Sequence, residues 1–179
     1  SCKECNRKYE CTGENAAFCN HMKNILVAKY GAAEGCLKES RIRHSIGVAN
    51  FLFAYAKSHD WSKEETEDLY LTGLLHDIGY IDNPKGTDHG RLGAEILKRN
   101  GLNAEICELI SCHGRFIENP SRKQALLWLA DLCVNRDGDY IGYQKRYESI
   151  KERYKNDPER LFQVYRILEY LQIHFSEYR

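Results

Sequence analysis

Six side chains in this sequence have the types and order of a divalent-metal site: His44, the adjacent pair His76-Asp77, His89, His113 and Asp131. Each falls on the apolar face of an expected helix. His44 is in line with Val48, Phe51 and Tyr55, His89 with Leu92, Gly93 and Ile96, and His113 with Ile106, Leu109 and Ile110, while Asp131 follows Leu127 and Trp128 and precedes Val134. Burying ionisable groups among Val, Leu and Trp is costly unless they are paired or bound to a metal. Imidazoles and carboxylates converging from several helices supply what a divalent ion needs. A lone His on such a face is more often a hydrogen-bonded core residue, and His174, following Ile167, Tyr170 and Leu171, is expected to be one. His59 beside Asp60 reads as a surface residue at a helix end.

The elements that must position these groups are helical nearly throughout. A chain of 179 residues is long enough for one domain with a full core and too short for two comfortable ones. Apolar spacing predicts an amphipathic stretch over about Phe18 to Tyr30 and another from about Ser40 to Ser58. Ser62 followed by Glu65 forms a capping box for a third helix, expected to end near Gly79 with His76 and Asp77 in its last turn. The stretch Gly79 to Thr87, with Pro84 and Gly86, reads as a loop, after which Asp88 caps a helix ending at Gly101. Asn103 caps the next, which stops at Gly114 just past His113, and Ser121 opens a helix running through Asp131. Asp157-Pro158-Glu159 is an N-cap, a first-position proline and a first-turn acid. With no repeat or linker, the expected fold is all-α: a compact helical bundle over residues 21–179 behind a short Cys-rich segment, residues 1–20.

Composition narrows the partners. Lys plus Arg and Asp plus Glu are 26 each, so no basic field argues for nucleic acid. No apolar run approaches a bilayer span, and the N-terminus lacks a hydrophobic signal core. A cytoplasmic protein without a membrane or nucleic-acid partner is expected, as monomer or homodimer.

His44, His76-Asp77 and Asp131 resemble the H…HD…D pattern of the HD-domain metal-dependent phosphohydrolase superfamily, over roughly Arg41 to Asn135. The local wording is similar too: RIRHSIGVA around His44, LTGLLHDIGY around the pair and ALLWLADLC around Asp131. His89 and His113 extend the pattern to H…HD…H…H…D, which resembles branches holding two metals, such as the bacterial diadenosine tetraphosphate hydrolases. HD-GYP cyclic dinucleotide phosphodiesterases share the layout. The Lys that often follows the HD pair in the former branch is replaced here by Gly79-Tyr80. The segment after Asp131 reads LCVNRDGDYIGYQKRY rather than that branch's usual wording, and the adjacent His pair of HD-GYP proteins is missing, since Gly114 follows His113.

The chemistry expected of such a site is phosphohydrolysis of a nucleotide or another small phosphoester or phosphoanhydride. One metal takes His44, His76, Asp77 and Asp131; a second shares Asp77 and takes His89 and His113. Two divalent ions about 3.5–4 Å apart acidify a water between them and stabilise an in-line displacement, so the nucleophile is hydroxide rather than a side chain, with Asp77 and His76 at its centre. Mixed imidazole and carboxylate ligands suit iron, manganese, cobalt, nickel or zinc alike. Arg41, where the family commonly places an Arg, and Arg115 are expected phosphate contacts, because guanidinium forks suit phosphate oxygens. Lys85 and Arg91 read as solvated charges. Two alternatives stand beside this reading: a one-metal nucleoside monophosphate phosphatase in which His89 and His113 serve the substrate, and a ligand-sensing module whose metal is structural.

The chain has eight cysteines. Cys107, Cys112 and Cys133 fall within helices as small buried hydrophobes. Cys2, Cys5, Cys11 and Cys19 crowd the first twenty residues; Cys2-x-x-Cys5 is similar to half of a zinc site, against unligated thiols or a disulfide. The aromatic stripe Phe162, Tyr165, Tyr170 and Phe175 is expected to pack on the domain's own core.

Overall fold

The computed structural model describes residues 39–81, 83 and 85–179. The expected helix from Phe18 to Tyr30, the four N-terminal cysteines, His21 and Pro84 lie outside the described residues. Among the described residues the fold is all-α, as expected: α1 (Glu39–Ser58), α2 (Lys63–Leu75), a 3-10 turn (Ile78–Tyr80), α3 (His89–Arg99), α4 (Ala104–Cys112), α5 (Arg122–Cys133), α6 (Tyr143–Arg153), α7 (Pro158–His174) and a final 3-10 turn (Ser176–Tyr178). A lone antiparallel bridge joins Val134 to Tyr140. No helix among the described residues is long and apolar enough to cross a membrane.

Side-chain caps set most helix starts. Ser62, Asn103, Ser121 and Asp157 each accept a hydrogen bond from a backbone N–H three residues on, satisfying a donor that the first turn leaves without a partner. Pro158 occupies the first position of α7. Two expectations change. Helix α2 ends at Leu75 rather than Gly79, so His76 is its C-cap and Asp77 leads into the 3-10 turn, outside the last helical turn. Asp88 precedes α3 but does not cap it: its backbone is left-handed, and its carboxylate is drawn to Arg91 at 2.6 Å.

Helix α1 is the axis of the domain because it is apolar on two sides. Val48 and Leu52 join Trp128 and Leu127 of α5, Tyr143 and Ile150 of α6, and Ile167 and Leu171 of α7 in the larger core. Ile46 and Ala49 join Tyr70 and Leu74 of α2, Ile96 and Leu97 of α3, and Ile106 and Ile110 of α4 in a second. Cys107, Cys112 and Cys133 are buried, and burial pushes the Cys133 thiol up to about 12. The aromatic stripe of α7 divides: Tyr170 and Phe175 pack on the larger core, whereas Phe162 and Tyr165 are exposed. His174 is no core residue. It is exposed at the end of α7, its ring 4.2 Å from that of Tyr170.

Candidate metal centre

Helix ends bring the six predicted ligands together. His44 lies in the second turn of α1, His76 and Asp77 follow α2, His89 opens α3, His113 follows α4, and Asp131 lies in the last turn of α5. Three of these positions are helix C-termini, whose unsatisfied carbonyls carry partial negative charge and favour a cation nearby. A close seam makes the convergence possible. Any side chain at Gly79 would overlap the His89 carbonyl, so the 3-10 turn lies directly against the start of α3 only because residue 79 has none. A side chain at Gly90 would also crowd the Ile110 and Ser111 carbonyls, which ties α3 to the end of α4.

All four imidazoles are oriented the same way. Nδ1 of His76, His89 and His113 donates to the carbonyl three residues earlier, that of Gly73, Gly86 and Ile110, at 2.7, 2.9 and 2.6 Å. Nδ1 of His44 donates across the bundle to the Asn135 carbonyl at 3.2 Å. Such outer bonds fix ring orientation and leave Nε2 as the free nitrogen, which is how metal-binding imidazoles are held.

The free nitrogens then face acceptors. His44 Nε2 is 2.9 Å from Asp131 Oδ1, and His89 Nε2 is 2.9 Å from His113 Nε2. With every Nδ1 committed as donor, lone pairs confront each other at these distances unless a proton or a cation intervenes. Asp77 Oδ1 lies 3.6 Å from Nε2 of His76, His89 and His113 alike. His76 Nε2 is buried without any hydrogen-bond partner. An orphaned nitrogen, crowded acceptors and a mixed imidazole–carboxylate donor set fit a divalent transition metal. Three overlapping triads could each hold an ion: His44 with His76 and Asp77, His76 with His113 and Asp131, and Asp77 with His89 and His113.

Electrostatics mark the same spot. Burial opposes protonation of His76, but the Asp77 and Asp131 charges and the Gly73 carbonyl overcome it and push its pKa up to about 9. Burial would raise both carboxyls, yet His76, His113, His89 and Arg41 hold Asp77 well below the usual carboxylate range, and His44 and His76 do the same for Asp131. His89 is pushed down to about 4 by burial and by His113. In the absence of metal a proton on His76 takes the place a cation would fill.

The expected phosphate contacts separate. Arg41 donates to Asp77 Oδ2 at 2.8 Å and lies over the Tyr80 ring, 3.2 Å from its centroid, so it holds the central carboxylate. Tyr80 in turn packs against His89, the rings tilted by 32° with centroids 4.3 Å apart. Arg115 instead lines a cavity of about 440 Å³ beside His89, with Gly86, Thr87, Gly114, Arg160 and Gln163. Arg91 is tied to Asp88 and Glu95 on the surface, and Lys85 is exposed, as their sequence reading suggests. Sequence reasoning did not single out Tyr80, the Asn135 carbonyl or the arginines of α6. The anchoring carbonyls of Gly73, Gly86 and Ile110 each lie three residues before their His, a spacing that any residue has and that carries no signal in the sequence.

Residues 41–167 match the HD domain family, and the chain belongs to that family. The match runs past the 41–135 stretch that carries the motifs and takes in α6 and over half of α7. Among characterised relatives, a ribonuclease Y from Mycoplasma mycoides is 34% identical over 113 residues, covering 62% of this chain and 20% of that protein. Another, from Fervidobacterium nodosum, is 35% identical over 92 residues, covering 46% of this chain and 18% of its own. An uncharacterized protein of Methanocaldococcus jannaschii is 31% identical over 77 residues, 42% of this chain and 45% of its own. The chain thus spans about a fifth of the ribonucleases Y and under half of the archaeal protein. No solved structure matches.

Proposed function

We propose that this chain is a metal-dependent phosphohydrolase acting on a nucleotide or another small phosphoester or phosphoanhydride, with two divalent ions. The free Nε2 atoms of four imidazoles, each ring anchored through Nδ1 to a main-chain carbonyl, meet two carboxylates, and this carries the reading. One ion would be held by His44, His76, Asp77 and Asp131, and the other by Asp77, His89 and His113. Divalent ions so placed would supply a lowered water pKa and a Lewis acid for a phosphoryl oxygen. The chain's own residues do the rest. Arg41 and Tyr80 hold the Asp77 carboxylate and the His89 ring in place. Arg115 and Arg160, on the wall of the cavity beside His89, orient phosphate oxygens. The shared position of Asp77 Oδ1, equidistant from three imidazoles, favours two ions over one.

Metal analysis of protein purified without chelator, paired with a phosphate-release screen over nucleoside mono-, di- and polyphosphates, dinucleotides and short oligoribonucleotides, tests this. About two ions per chain with turnover of a small phosphate compound is the expected result. One ion with turnover of monophosphates supports the one-metal alternative. Turnover of oligoribonucleotides alone aligns the chain with the ribonucleases it resembles. No turnover with any divalent ion overturns the catalytic reading and leaves the sensing module.

A further inference from the structure

The cations around the centre outnumber what its two carboxylates call for. Helix α6 is polar over most of its length, yet its Arg146 is only 7% exposed, and the Nε of that side chain is buried without a hydrogen-bond partner. No carboxylate lies within ion-pair distance of Arg146 among the described residues, and burying an unpaired guanidinium is costly. The negative charges it feels are those of Asp131 and Asp77, both committed to the centre.

Further guanidinium groups crowd the same place. Burial, together with the positive charges of Arg153 and Arg136, lowers the pKa of Arg146; burial, Arg153 and Arg41 lower that of Arg136. Arg153 and Arg160 flank Tyr154, at 5.7 and 4.4 Å from its ring centroid, and Arg160 continues into the cavity beside His89. Like charges therefore gather from α6 and from the segment after α5; Arg160 is paired with Asp157 at 3.5 Å, whereas Arg136, Arg146 and Arg153 form no ion pair among the described residues. A single divalent ion would already neutralise Asp77 and Asp131. The guanidinium groups of Arg136, Arg146 and Arg153 would then stand as a net positive patch next to a bound phosphate, and planar forks of this kind suit a phosphate's oxygens.

We propose that Arg146, flanked by Arg136 and Arg153, forms an anion subsite that takes a second phosphate group of the substrate while the first lies at the metal centre. The proposal rests on the phosphohydrolase reading and narrows it: the preferred substrate is a nucleotide carrying at least two phosphates, rather than a monophosphate or a single internal phosphodiester.

The test uses the full metal-loaded chain with R136Q, R153Q and R146K, the first two lying at less buried positions that keep the test open if R146K fails to fold. Calorimetric binding of inorganic pyrophosphate is compared with that of inorganic phosphate, alongside kcat/KM for ADP and for AMP. Wild-type protein is expected to prefer pyrophosphate, and each variant to lower the pyrophosphate-to-phosphate affinity ratio and the ADP-to-AMP ratio by about tenfold, the loss of one charge-assisted contact, at unchanged metal content. Ratios equal to those of wild type overturn the subsite. Equal weakening toward both anions also overturns it, since Arg146 would then only support the fold. A pyrophosphate preference that follows the arginines, without turnover of any nucleotide, keeps the subsite and sinks the phosphohydrolase reading.

Discussion

The two halves of the proposed metal centre are built differently. The half made by His44, His76 and Asp131 grows from α1 and α2, which supply residues to both cores, and from α5, which lies in the larger; its two imidazoles are almost fully buried, as is His113. The half made by His89 and His113 hangs on the first residue of α3, the cap of α4 and the glycine seam between them, and it borders the cavity. Asp77 serves both. Its carboxylate is held by Arg41 on one oxygen and faces three imidazoles with the other. The contrast teaches that the first half is paid for by general packing, whereas the second depends on a few local contacts and is the easier one to lose.

The largest effect is expected from Asp77→Asn, which keeps the shape and removes the shared charge. Both ions and at least about a thousandfold of activity should go, read by metal analysis and turnover; two retained ions would deny Asp77 its bridging place. His89→Ala should empty only the cavity-side half, taking the metal content from about two to about one per chain, while His44→Ala should disturb the core-side half. Equal stoichiometry in the two variants would erase the distinction. Gly79→Ala pushes the 3-10 turn off α3, at a cost of about 1–3 kcal/mol in chemical denaturation, and should mimic His89→Ala in metal content. Loss of stability without loss of metal would mean the seam supports only the fold.

Protonation sharpens the same contrast in chelated protein. The His76 pKa is raised to about 9, so its contribution to stability is full below its ordinary value near 6.5 and is lost as pH climbs through 9. Asp77 and Asp131, held low, contribute above the ordinary carboxylate range and lose that contribution as pH falls through their depressed values. Thermal unfolding of the chelated chain should therefore weaken between pH 6.5 and about 9, and metal binding near pH 7 should release a proton from the core-side half. A flat profile over that window would place the proton elsewhere. Smallest of all, Asn103→Ala removes the cap of α4, and with it about 1 kcal/mol, without touching metal content.

How much of this was legible follows from the range of the interactions involved. Ser62, Asn103, Ser121 and Asp157 were readable as helix starts because a cap acts over three residues. The ligand pattern was readable because four coincident spacings with similar local wording are hard to meet by chance. Asp88 misled because Arg91, one turn on, competes for its carboxylate. The end of α2 misled because the chain turns at His76-Asp77 itself, before the glycine that usually marks such a stop. Helix α6 went unrecognised since only Tyr143, Arg146 and Ile150 of it are buried, too sparse a stripe to stand out. An arginine looks like surface in any sequence window, so the burial of Arg146 emerges only when α5 and α6 are packed together.

The anchoring of every imidazole to a main-chain carbonyl has one more consequence. Carbonyl oxygens belong to the backbone, so no side-chain substitution at Gly73, Gly86, Ile110 or Asn135 deletes the atom that aims a ring. The orientation of the centre is thus written into the path of the chain, and the ligands can survive wide drift in the residues around them while the path is kept.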